Sequence, residues 1–120
     1  VTARSRPLER VRAAAAIARL ALQQIEDELD GETDAHVLAQ IVHELHHEAH
    51  PQDGALGALA QLLTKAGQAA AVSTVDPDDA ESAACAIEEA AAFVSDSAGM
   101  RLHLATRTLD PQGERPAGAG

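Results

Sequence analysis

Five of the chain's six histidines fall between positions 36 and 50: His36, His43, His46, His47 and His50. Neutral imidazole nitrogens are ready ligands for zinc, nickel and copper, and they take up a proton just below neutral pH. Within AHVLAQIVHELHHEAHP, the run His43-Glu44-Leu45-His46-His47 sets two imidazoles four positions apart with a carboxylate between them. Residues four apart share a face of a helix. His43 and His47 could then hold one divalent ion while Glu44 polarises a water bound to it, the arrangement used for metal-assisted hydrolysis. Advancing about 100° per residue from His36 brings His43, His47 and His50 within about 40° of it. The candidate metal ligands are therefore His43, His47, His50 and His36, for zinc or another divalent transition metal. Glu44 is the candidate general base.

The residues HELHHEAH resemble the metal-binding helix of the zincin peptidases, over a stretch of 8 positions out of 120. The resemblance implies zinc on His43 and His47, with Glu44 activating water. Three features of that family have no counterpart here. No strand-like segment precedes the helix. His50 stands at the third position after His47, with neither a Gly nor a more distant His before Pro51. No downstream carboxylate sits in a comparable context, although Glu81, Glu88 and Glu89 are available as third ligands.

The same projection places Leu38, Val42, Leu45 and Ala49 on the opposite side of the helix, as an apolar stripe. The histidines then form an outward polar face, with Ala39 and His46 on one flank. His36, Ala39, His43, His46 and His50 also repeat at intervals of three and four, like a second seam. A solvated face, a face shared with a partner's helix, and a proton-sensitive stripe in a very acidic chain are the readings that need no catalysis.

Four helical segments carry these residues. The first is expected from about Pro7 to Asp30, ended by Gly31, with Leu8, Val11, Ala15, Ala18, Leu22, Ile25 and Leu29 alternating at intervals of three and four. Ile17 and Leu20 lie off that seam. The second is expected from about Asp34 to His50, stopped by Pro51. The third runs from about Asp53 to Val72 on a ridge of Leu56, Leu59, Leu63, Ala66 and Ala70. The fourth starts at Asp76-Pro77-Asp78-Asp79, an Asp cap followed by Pro in the first turn, and carries Ala80, Ala84, Ile87, Ala91, Val94 and Ala98. Gly99 is expected to bend or break it before a last piece holding Leu102, Leu104 and Leu109. Short connections favour antiparallel neighbours. The expected fold is all-α: an antiparallel four-helix bundle of residues 1–110, with completion by dimerisation as the main variant. Residues 111–120 have the composition of a disordered tail.

Composition limits what such a chain can do. Of 120 residues, 46% are hydrophobic, but there is one Phe, one Met, and no Trp or Tyr. The core must be Leu, Val and Ile set against alanine. Net charge is −10, yet Arg4, Arg6, Arg10, Arg12 and Arg19 precede residue 20, and Lys65 is the single cation from there to residue 100. An acidic body repels phosphates and anionic lipid, so neither nucleic acid nor membrane is an expected partner. The lone Cys85 gives no disulfide framework and no thiolate zinc site. Neither an apolar span nor a leader-like segment is evident, and the expected setting is cytoplasmic. The leading expectation is a non-enzymatic acidic helical protein that works through protein contacts, in a regulatory or accessory role and as a homodimer. The alternative is a transition-metal protein using His43 and His47, or a minimal peptidase with Glu44.

Overall fold

The computed structural model of the chain describes residues 5–31, 34–73 and 76–111. The fold is all-α, and no strand occurs among the described residues. Helix α1 spans Ser5–Glu28, α2 Ala35–Leu45, α3 Ala55–Ala71, α4 Pro77–Ala92 and α5 Gly99–Leu109. A π-helical turn, Phe93–Ala98, joins α4 to α5 without a break, so the last two helices form one rod. A short 3₁₀ turn, Pro51–Asp53, precedes α3. No helix among the described residues is long and apolar enough to cross a membrane. The tail expected at 111–120 lies, past Pro111, outside the described residues.

Contacts group the described residues into two units, one holding α1 and the other everything from Ala35 onward. In the first, α1 is a 24-residue helix whose last turn tightens, with Leu29 N–H donating to Glu26 and Asp30 N–H to Asp27. Gly31 follows at φ 94°, a backbone region that favours glycine. Ile25 is half-buried, while Leu8, Val11, Ile17, Leu20 and Leu22 are exposed.

In the second unit α3 lies mainly against α4, and α2 mainly against α5. The buried apolar residues are all alanines: Ala39, Ala60, Ala80, Ala84 and Ala91. Among the described residues, no large side chain is completely buried. Small residues bring helix axes close, so the interfaces are thin. The α4 seam runs as the spacing predicts, with Ala80, Ala84 and Ala91 buried and Ile87, Val94 and Ala98 half-buried. The α3 ridge runs largely as expected, with Leu56, Leu63, Ala66 and Ala70 half-buried. Ala60 and Gly67 are its buried positions, and Leu59 and Leu62 are exposed, because a close alanine interface admits small side chains and pushes bulky ones to its margins.

Two boundaries also differ. Helix α2 ends at Leu45 rather than at His50, so His46 to His50 are not α-helical. Pro51 disfavours helical backbone at the residue before it, and the chain must turn back into α3 within a few residues. Gly99 does not break the last helix. It is helical at φ −59°, and the irregularity is the π turn just before it. The Asp76 cap forms as expected, with its carboxylate accepting from Asp78 N–H at 2.9 Å.

Gly57 shows how tightly the turn closes onto α3. A Cβ there would lie 1.8 Å from the Pro51 carbonyl oxygen. At Gly67 a Cβ would lie 3.1 Å from Cγ of the Glu88 side chain, which can move. Alanine normally gains about 0.5–1 kcal/mol over glycine inside a helix. Gly57→Ala should reverse that sign and cost about 1–3 kcal/mol through overpacking, whereas Gly67→Ala should be near neutral. Urea midpoints measure both, and a Gly57→Ala chain as stable as the parent would contradict this turn.

Candidate functional site

The histidine segment lies where α2, the loop after it and α5 meet. Helix α2 buries Ala39 most deeply, and Leu38, Ile41, Val42 and Leu45 are half-buried. The face laid against α5 is thus turned toward the Ala39 flank, because a small residue there permits close approach. His46, which follows the last helical residue, turns inward and is 8% exposed. Part of the expected outward stripe is therefore inside.

His46 occupies the gap left by Gly99 at the start of α5. A Cβ on Gly99 would lie 2.8 Å from Cε1 and 3.0 Å from Nδ1 of that ring. On its other side, His46 Nε2 donates to the Glu48 carboxylate at 3.0 Å. The same Glu48 oxygen lies 3.6 Å from Nδ1 of His103 on α5. One carboxylate in the loop thus bridges two imidazoles, one from the loop and one from α5. Nearby, His36 of α2 pairs with Asp110, the residue that follows α5. Both contacts tie α2 and its loop to α5. A cleft of about 490 Å³ opens between these elements, lined by Gln40, His43, Glu48, Thr106, Arg107 and Asp110 among others.

The residues singled out by spacing come together only in part. His43 and His47 are stacked, with ring centroids 4.4 Å apart and planes 13° off parallel. Glu44 is exposed, with Oε2 3.7 Å from His47 Nε2. That Nε2 is buried and has no hydrogen-bond partner. His50 is exposed at the start of the 3₁₀ turn, and His36 is exposed and engaged with Asp110. The helical projection that grouped His47 and His50 with His36 does not apply past Leu45, where the helix stops. Glu81, Glu88 and Glu89 lie on α4, which packs against α3. Among the described residues, no three His, Cys, Asp or Glu side chains are placed to hold one ion.

Glu48, His103, Asp110 and Gly99 are the residues that sequence spacing alone misses. Their partners lie far along the chain, except for Glu48 and His46, which meet only because the helix has ended between Leu45 and His46. The second-seam repeat through His36, Ala39, His43, His46 and His50 is the available signal, since it contains both residues that become buried, Ala39 and His46.

Comparison of the chain with protein-family models, with curated proteins and with solved structures finds no match in any of the three.

The contact between His46 and Gly99 has a measurable signature. Gly99→Ala should lower stability by about 1–3 kcal/mol, because the new methyl group meets the imidazole. In a His46→Ala background the clash is gone, and Gly99→Ala should become neutral or stabilising through helix propensity. A double-mutant cycle on unfolding free energies reads this coupling. Additive effects would show that the ring does not sit on Gly99.

Proposed function

We propose that this chain is a small acidic helical protein that works by binding protein, in a regulatory or accessory role, and that it does so in the cytoplasm. The observation that carries this reading is α1: a 24-residue helix with Leu8, Val11 and Leu22 exposed along one face. An apolar stripe of that length is costly in water and marks an interaction surface. The charge pattern supports protein over nucleic acid as the partner, since the chain from residue 20 to residue 100 holds one cation, Lys65. Photocrosslinking in the producing cell tests it, with benzophenone side chains placed in turn at Val11, Leu22 and Ala13. Discrete protein adducts at Val11 and Leu22, beyond those at Ala13, are expected. Equal, diffuse labelling at all three positions would refute a contact surface on this helix.

One observation favours a second reading, transition-metal binding at His43 and His47. The two rings are stacked 4.4 Å apart, and the buried Nε2 of His47 lacks a hydrogen-bond partner. Neutral imidazole nitrogens are ligands for zinc, nickel or copper. Peptidase chemistry through Glu44 would need a third protein ligand as well. Calorimetric titration of zinc into the untagged protein should give one equivalent bound, weakened at least tenfold by His47→Ala. Unchanged binding in the His43→Ala/His47→Ala pair would remove this reading.

A further inference from the structure

We propose that α1 of one chain pairs antiparallel with α1 of a second copy, along the seam from Leu8 to Ile25. This rests on the reading of α1 as a contact surface and names what covers it.

The first support is periodicity. Leu8, Val11, Ala15, Ala18, Leu22 and Ile25, with Leu29 just past the helix, alternate at intervals of three and four without exception. That is the a/d pattern of a two-helix seam, narrower than the stripe of a helix lying on a broad core. The two central layers are alanine, which lets the helix axes approach closely there.

The second support is charge, and it sets the direction. Arg6, Arg10, Arg12 and Arg19 lie in the first two thirds of α1, opposed there only by Glu9. Glu26, Asp27 and Glu28 close the helix, and Asp30 follows. The first turn holds no acid and the last turn no base. This order runs against the helix's own dipole, which favours acids at the N-terminus and bases at the C-terminus. An isolated α1 bears that cost. A parallel copy would add to it by placing like ends together. An antiparallel copy offsets it, since each N-terminus and its arginines meet the partner's closing carboxylates. With Ala15 opposite the partner's Ala18, the register sets Leu8 opposite the partner's Ile25 and Val11 opposite the partner's Leu22. Arg6 then lies level with the partner's Asp27.

The test uses the full chain in a Cys85→Ser background. Sedimentation equilibrium should give twice the single-chain mass. Ile25→Lys, on the seam, should weaken association at least tenfold, and Ile17→Lys, off the seam, should leave it unchanged. Spin labels attached at Glu9→Cys leave the seam intact and therefore report even if a seam variant misfolds. In the antiparallel register the labelled sites are offset by about 22 Å along the axis, from a rise of 1.5 Å per residue. In a parallel pair they would be side by side. A short label distance, or a single-chain mass at every concentration, overturns the proposal. If photocrosslinks from Val11 and Leu22 still capture a different protein, α1 remains a contact surface and only the second copy is lost as its occupant. If they capture this chain's own second unit, the inference falls as well.

Discussion

An alanine interface buries little apolar surface per residue, and this limit shapes the molecule. Each buried methylene is worth about 0.8 kcal/mol, and alanine side chains have only a methyl to bury. The apolar residues inside the second unit are Ala39, Ala60, Ala80, Ala84 and Ala91, and among the described residues no large side chain is wholly enclosed. Leucines, a phenylalanine and a methionine stand outside that core: Leu59, Leu62, Phe93, Met100 and Leu104. Folding cost grows with every residue ordered, so a core this thin leaves a small margin. Close approach is what the alanines supply in return, and glycine extends it at Gly57 and Gly99, where a methyl group would not fit.

Close approach also explains the histidine cluster. Gly99 leaves room for a ring, and His46 fills it. The loop that carries His46 then brings Glu48 to both His46 and His103, and the pairing of His36 with Asp110 binds the other end of α2 to α5. Imidazoles serve here as packing and hydrogen-bonding groups in a unit with few large apolar side chains. The stacked pair, His43 and His47, and the exposed His50 are the part of the cluster not absorbed into these ties.

Much of the fold is legible in local chemistry. The Asp76 cap, the positive φ of Gly31 and the α4 seam follow from side-chain preference and from the 3.6-residue period, which act within a turn or two. The end of α2 does not, because its stop at Leu45 is set by the return of the chain into the 3₁₀ turn and α3. That single boundary decides the site. A helix continued to His50 would array His43, His47 and His50 along one face, whereas the helix that ends at Leu45 sends His46 inward and leaves His50 at the turn. The pairing of Glu48 with His103 and of His36 with Asp110 depends on which helices touch, and no spacing rule within one segment contains that information. Likewise the alternation along α1 was visible as a seam, but what lies across that seam belongs to tertiary or quaternary structure.

Helices this poor in large buried side chains, with an apolar seam exposed on α1, should gain stability when a second chain covers that seam. The most direct measurement is the urea midpoint of the full chain as a function of protein concentration. Association linked to folding makes the midpoint rise with concentration by mass action. A midpoint that climbs steadily over a hundredfold range is the expected result. A midpoint constant over that range would contradict the proposed pairing of α1 with a second copy.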